Sequence, residues 1–219
     1  MNWKILLQRS HVPYSANPNA CYVKGKSGCW YPGVRIENIS FPLTISALQA
    51  AIFNCLSQDD SPVLYSIYKA TGNMDFWENE FDINYTEELP ENVKDSLQID
   101  DEIFINKENI RKNLQEILPQ AVTPYSNFPV SALLETADGF INGVNIEVSE
   151  WSLGLCAERV ALAKAFAYGN TDFQSLHVHT SGGNFSSPCG ACRQVIIEHL
   201  PQKRVHFHHP DGTQSSHRA

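Results

Sequence analysis

The sequence predicts an α/β protein: a mixed sheet with helices on its faces, present twice. Two observations carry this expectation. Between residues 107 and 208 the hydrophobic spacing gives helix, hairpin, helix, strand, helix, strand, an order that lays helices against one sheet. The chain also repeats itself once, at an offset of 110 to 111 residues. Pro13-Tyr14-Ser15 matches Pro124-Tyr125-Ser126, and Gly33-Val34-Arg35-Ile36-Glu37 matches Gly143-Val144-Asn145-Ile146-Glu147. Leu43, Ala47 and Ala51 match Leu153, Ala157 and Ala161. Several agreements at one offset indicate duplication.

The elements of the second copy follow from local signals. Lys107 to Leu118 has helical spacing at Ile110, Leu114, Ile117 and Leu118, and Pro119 ends it. Val130 to Glu135 and Phe140 to Glu147 read as two strands around a turn at Asp138-Gly139. Leu155 to Tyr168 is an Ala-rich helix closed by Gly169. Ser175 to Thr180 is a third strand, and Cys189 to Leu200 a second helix stopped by Pro201. Arg204 to His208 is a final short strand, followed by a short polar segment after Asp211-Gly212.

The two copies are not chemically equivalent. Ser46 stands where the second copy has Cys156, Leu48 where it has Glu158, and no Cys-x-x-Cys follows in the first half. Gly72 to Asp101 replaces the missing part and reads as an acidic, loop-rich connector, ordered in places by Phe76, Trp77 and Phe81. The expected organisation is a non-catalytic module with its connector over residues 1–100 and a catalytic module over 101–219.

Composition limits the partners. Net charge is -8 with 16 basic residues and no dense basic run, which argues against a nucleic-acid polymer. No apolar run is long enough for a membrane span. Met1 to Ser10 lacks the apolar core and cleavage site of a signal peptide, so the expected setting is cytoplasmic, with reduced thiols.

The most informative residues are Cys156-Ala157-Glu158-Arg159 and Pro188-Cys189-Gly190-Ala191-Cys192. A catalytic zinc takes three protein ligands and keeps its fourth position for water. Cys156, Cys189 and Cys192 supply three, and Glu158 is placed to move protons. Cys189 and Cys192 share a helix face, and each cysteine segment opens a helix, where partial positive charge favours thiolates. Arg159 and Arg193 are candidates to hydrogen-bond the sulfurs and offset their charge. The alternative readings are a structural zinc completed by His177, His179 or His199, and for Glu158 a solvated first-turn carboxylate. Cys21, Cys29 and Cys55 read as small buried hydrophobes, with Cys21 facing Cys29 across a turn at Ser27-Gly28 as the other possibility. His206, His208 and His209 read as a solvated strand end.

With these motifs the second copy resembles the cytidine deaminase family. The resemblance runs through Pro124-Tyr125-Ser126-Asn127-Phe128-Pro129-Val130, Asn145-Ile146-Glu147, Gly154-Leu155-Cys156-Ala157-Glu158-Arg159 and Pro188-Cys189-Gly190-Ala191-Cys192-Arg193-Gln194, over roughly residues 107 to 210. It implies a duplicated three-layer α/β/α fold. It implies that Phe128 packs on the pyrimidine, that Asn145 and Glu147 bind the ribose 3′-hydroxyl, and that the backbone near Ala157 and Ser187 contacts the base. From the residues alone, Phe128 is equally well a core aromatic, and Asn145 and Glu147 exposed strand residues.

The expected activity is zinc-dependent hydrolytic deamination of free cytidine and 2′-deoxycytidine. The alternatives are deamination of another small aminopyrimidine or aminopurine, and a non-enzymatic zinc-stabilised binding module. The first copy, having kept its turns without the zinc ligands, is expected to serve packing in a homodimer. The Ala-rich stretches at Ala47 to Ala51 and Ala157 to Ala167 are the expected contact helices.

Overall fold

The computed structural model describes residues 3–90 and 109–219. The chain falls into two compact units, Met1–Gln98 with Ala163–Gly169, and Ile99–Leu162 with Asn170–Ala219. The expected boundary at residues 100 and 101, the end of the acidic stretch from 91 to 101, and the start of the helix expected from Lys107 lie outside the described residues.

The first unit contains α1 (Trp3–Gln8), β1 (Ala20–Gly25), β2 (Trp30–Val34), α2 (Ala47–Leu56), β3 (Pro62–Ile67), α3 (Met74–Phe81) and β4 (Asn84–Tyr85). Its sheet has the order β2-β1-β3-β4, with β3 and β4 parallel. Ser46 starts α2 with a capping box, its side chain accepting from the Gln49 amide while the Gln49 side chain accepts from the Ser46 amide. In the register, Gly33 pairs with Cys21, and Pro32 with Tyr22. The two pairs therefore face opposite ways. Ala47 and Ala51 of α2 lie on Gly33, and Trp3 of α1 packs on Tyr22 with ring centroids 5.3 Å apart. This makes three layers.

Two expectations are corrected here. Cys21 pairs with Gly33, so Cys29 does not face it, and Cys29 is exposed rather than buried. The acidic stretch is not simply a connector. It forms α3 and β4, and so continues the sequence strand, helix, parallel strand that the second unit also shows. Trp77 supplies the reason: it is fully buried, edge-on to Phe53 of α2 at 5.7 Å, and docks an otherwise acidic helix.

The second unit contains α4 (Ile110–Ile117), β5 (Val130–Thr136), β6 (Gly139–Val144), α5 (Ala157–Tyr168), β7 (Phe173–Thr180), α6 (Gly190–His199), β8 (Arg204–His208) and β9 (Gln214–Arg218). The sheet order is β6-β5-β7-β8-β9, with only β7 and β8 parallel among these pairs. Leu114 and Ile117 of α4 pack on Leu133 and Phe140, covering one face. Ala157 and Ala161 of α5 cover the other at Gly143, where an added Cβ would lie 2.4 Å from the Ala157 carbonyl oxygen. Gly33 makes the same close approach in the first unit, with an added Cβ 2.4 Å from the Ala47 carbonyl oxygen. The fold is therefore the duplicated three-layer α/β/α arrangement.

Three further expectations change. Strand β9 pairs along β8, where the polar segment after Asp211-Gly212 had suggested no element. Ala47, Ala50, Ala51, Ala157, Ala161, Ala163, Ala165 and Ala167 are all at most 2% exposed in the single chain, so they offer no free surface for a second copy. And His208 is buried rather than solvated.

His208 belongs to a directional chain across the sheet. Its Nε2 lies 3.2 Å from His177 Nδ1, His177 Nε2 lies 3.1 Å from Ser175 Oγ, and Ser175 donates to Glu135 at 2.6 Å. The carboxylate accepts, so each ring donates toward it and both imidazoles are neutral. Burial first, then His206 and His208, pull His177 down to about 3; burial and then Arg111 pull His208 down to about 4. In the unfolded chain both protonate below about 6.5. The unfolded state thus binds more protons between that value and the folded ones, and stability is lost as pH falls through this window. Denaturant midpoints are expected to drop between pH 7 and pH 5, and His177→Gln is expected to flatten the drop. An unchanged pH dependence in that variant counts against the assignment.

Candidate metal centre and active site

The second unit brings the three cysteines together. Cys156 immediately precedes α5, Cys189 is the N-cap of α6, and Cys192 lies in the first turn of α6. Their sulfurs all lie within 4.8 Å of one another, with Cys156 Sγ 3.6 Å from Cys189 Sγ. The Cys192 amide donates to Cys189 Sγ at 3.3 Å, the spare helix donor that a thiolate cap needs. Hydrogen bonds from Cys156 and Cys192, with the Cys192 and Ala191 amides, hold the Cys189 thiol well below its usual range; the same sharing pushes Cys156 and Cys192 up.

This donor set fits zinc. Tetrahedral zinc with Zn–S of about 2.3 Å sets neighbouring sulfurs about 3.8 Å apart, close to the separation found here. Among the described residues no histidine or carboxylate joins the cluster as a fourth ligand. Both ring nitrogens of His177 are engaged within the sheet, and His179 Nδ1 donates to the His208 carbonyl at 2.9 Å. Three protein ligands without a fourth is the pattern of a catalytic rather than a structural zinc.

Glu158 is 3% exposed, which rules out a solvated helix-start carboxylate. Burial is the main cause that raises its pKa to about 7, with the Cys189 charge adding to it. Arg159 is also buried; burial lowers its pKa, and the charges of the three cysteines and Glu158 oppose that. Arg193 is placed elsewhere. Its Nε donates to the Pro188 carbonyl at 3.1 Å and its Nη2 to Ser187 Oγ at 3.2 Å, so it braces the loop before Cys189.

A cleft of about 510 Å³ opens beside Cys156, and Asn145, Glu147, Tyr125 and Trp151 also line it. Glu147 accepts from the Tyr125 and Ser126 amides at 3.0 and 3.1 Å, and these bonds together with the Ser126 hydroxyl lower its pKa against the opposing effect of burial. Asn145 bridges the Phe128 carbonyl and the Val130 amide. Phe128 is 40% exposed and its ring lies on Gly182. Ala157 is fully buried in the first turn of α5, and Ser187 is exposed. A larger hollow of about 670 Å³, walled by Phe185, Ile197 and Phe207, contains none of the cysteines. Gly182 and Trp151 were not singled out in sequence, and Tyr125 entered only within a motif; the Gly182-Gly183 pair signals a turn but not what sits on it.

Residues 106–209 match the family model described as the cytidine and deoxycytidylate deaminase zinc-binding region, and residues 6–67 match a second model of that description. A cytidine deaminase of Mycoplasma genitalium is 41% identical over 104 residues, which are 47% of this chain and 80% of that protein. The chain belongs to the cytidine deaminase family. Another member, from Sporosarcina psychrophila, is 51% identical over 80 residues; these span 36% of this chain and 59% of the length of that cytidine deaminase. The crystal structure of cytidine deaminase from Burkholderia pseudomallei is 37% identical, covering 48% of this chain and 86% of that one at a TM-score of 0.46. Within this family zinc is the metal that the three cysteines fit.

One zinc per chain is the expected metal content, since Ser46 and Leu48 replace the key residues in the first unit. Elemental analysis checks this, and Cys189→Ala is expected to lose the metal and part of the stability coupled to it. Two zincs per chain would show that another group binds metal.

Proposed function

We propose that the chain deaminates free cytidine and 2′-deoxycytidine hydrolytically, with the catalytic module at residues 101–219 and a non-catalytic module at 1–100. The observation that carries this reading is the three-cysteine cluster with buried Glu158 beside a cleft of nucleoside size. The names of the relatives support the substrate.

When bound by Cys156, Cys189 and Cys192, zinc supplies a Lewis acid that makes water a nucleophile near neutral pH. Glu158 accepts a proton from the attacking water and passes protons to the ring nitrogen and then to the departing amine. Water adds at C4, the C4–N bond breaks, and uridine and ammonia leave. A pKa near neutrality suits a group that must both take and give a proton. Phe128 packs on the pyrimidine, and the backbone at Ala157 and Ser187 meets the base. Asn145 and Glu147 lie on the ribose side. Arg159 offsets the thiolate charge.

The partners proposed are a small nucleoside and a second copy of the chain, in a cytoplasmic setting. A first copy that keeps its turns without the zinc ligands supports self-association. Among the described residues no helix is long and apolar enough to cross a membrane. Light scattering tests the dimer, and an active monomer refutes it.

The zinc-loaded chain is expected to remove the near-ultraviolet absorbance of cytidine as uridine forms. A panel of free bases, nucleotides and modified nucleosides runs beside it. Turnover of another aminopyrimidine or aminopurine alone would replace the substrate, and turnover of none would leave a binding module.

A further inference from the structure

We infer that His209 is a latch that holds the segment Phe185-Ser186-Ser187-Pro188 in place, and so positions both the backbone of Ser187 and the thiol of Cys189. Its bearing on turnover rests on the reading above, in which Ser187 meets the base; its bearing on the metal does not.

The topology brings the latch to the site. Strands β7 and β8 are parallel, so the chain leaves both at one edge of the sheet. From β7 it runs into the loop that ends at Cys189, and from β8 into His209. Their pairing extends from Ser175↔Arg204 to His179↔His208, which carries residue 209 to that loop. In the first unit, β4 pairs with β3 at Leu64↔Asn84 and Tyr65↔Tyr85 and ends there. That unit has Ser46 in place of the first ligand and no Cys-x-x-Cys to position.

One residue receives both bonds of the latch. The Ser186 amide donates to His209 Nδ1 at 3.0 Å, and Ser186 Oγ donates to the His208 carbonyl at 3.0 Å. Two bonds in different directions fix the orientation of Ser186 as well as its place, and Ser187 follows directly. Ser186 is 4% exposed, so a bond it loses is not readily replaced by water. Packing offers little substitute. Phe185 is exposed, and the segment forms one wall of the hollow of about 670 Å³ instead of resting on a filled core. Arg193 braces the end of the segment next to Cys189, and His209 its middle.

The ring is itself fixed. Because Nδ1 accepts from an amide, Nε2 carries the proton, and it donates to Ser215 Oγ at 2.9 Å. The His209 amide donates to the Thr213 carbonyl at 2.9 Å, and the His209 carbonyl accepts from Arg111 Nη1 at 3.0 Å and from the Gly212 amide at 3.1 Å. Arg111 Nη2 also donates to the Gly212 and Thr213 carbonyls, both at 2.7 Å. The β8–β9 turn is thus a rigid mount for one imidazole nitrogen. His209 is a positioning residue in this sense, since partners beyond the ligands orient them and tune metal affinity.

The test uses the zinc-loaded full chain and three variants. Asn carries Oδ1 as many bonds from the backbone as His carries Nδ1, so His209→Asn keeps the acceptor for Ser186. His209→Gln reaches toward Ser215 instead, and His209→Phe keeps a ring with neither nitrogen. Zinc transfer to excess EDTA, measured well below the melting temperature, is expected to quicken roughly tenfold in His209→Phe and His209→Gln, the size of one buried bond left unmade. In His209→Asn it should stay within about twofold of the parent. The kcat/KM for cytidine should fall in the same order, and amide exchange at Ser186 should quicken in the Phe and Gln variants alone. A residue that merely fills space would rank the variants by volume and place Phe nearest the parent. Equal zinc release from the Asn and Gln variants, or unchanged Ser186 exchange in His209→Gln, overturns the inference. Both amides are polar and no larger than the ring, so this comparison stands if His209→Phe folds poorly. If the parent protein turns over no cytidine, the functional reading fails while zinc release and exchange still judge the latch.

Discussion

Glu158→Gln is expected to keep the zinc and the fold and to lose most turnover. Gln is nearly isosteric, fits a site that is 3% exposed, and removes a carboxylate that hydrogen-bonds with Cys192 of the cluster. It cannot accept the proton of water. General acid–base catalysis is typically worth about 10²–10⁴-fold. Glu158 serves several proton steps in the proposed cycle, so the loss should reach the upper part of that range. Because burial raises this carboxyl's pKa, replacing it with a neutral amide also removes the cost of a buried charge, and thermal stability should hold or rise. The measurement is kcat beside zinc content and a melting curve. More than about a tenth of parent activity, with zinc retained, would remove Glu158 from its role.

Gly143→Ala is expected to lose stability and zinc together. The added Cβ would lie 2.4 Å from the Ala157 carbonyl oxygen and 2.5 Å from the Ala161 amide nitrogen, both backbone atoms of α5. Neither can rotate away, so the helix must move. Overpacking typically costs about 1–3 kcal/mol, occasionally more, and rigid backbone contacts belong at the high end. The shift falls between Cys156 and Glu158, so zinc affinity and turnover should drop together with the denaturant midpoint. Gly33→Ala meets the same obstacle in the first unit, from the Ala51 amide and the Ala47 carbonyl. It should lower stability while the folded protein keeps its zinc. A Gly143→Ala protein with unchanged zinc content would mean that α5 yields without disturbing its own first turn.

The legible parts of this chain were those encoded locally. Cys189 and Cys192 are three residues apart at a helix start, so spacing alone joins them; the Cys156 and Glu158 motif declared itself through residue types that rarely sit together by chance. Hairpin β5–β6 was readable from Asp138-Gly139 between apolar runs. What stayed hidden depends on distant partners. Strand β9 has no apolar alternation, and only its pairing with β8, including His206 Nδ1 to Ser216 Oγ at 2.7 Å, makes it a strand. Helix α3 was obscured by acidic neighbours around its single buried residue, Trp77. Arg193 turned from the sulfurs to the Pro188 carbonyl because a long side chain settles on the nearest fixed acceptor, which composition does not reveal. The seat at Gly182 required a ring 54 positions earlier in the chain to be in place first.

The cysteine cluster has a further consequence as chain topology. Cys156 and Cys189 are 33 residues apart, and the segment between them holds all of α5, all of β7 and the glycine loop that seats Phe128. A metal bridging the two thiols closes that segment into a ring. If the link held in the denatured chain as firmly as a disulfide, it would withhold roughly 4 kcal/mol of conformational freedom. The same ion that activates water would then act as a tether. Chelation should therefore do more than stop turnover. It should open the loop from Ser181 to Pro188 to proteases, while the β1–β2 hairpin of the first unit, which encloses no such ring, stays protected.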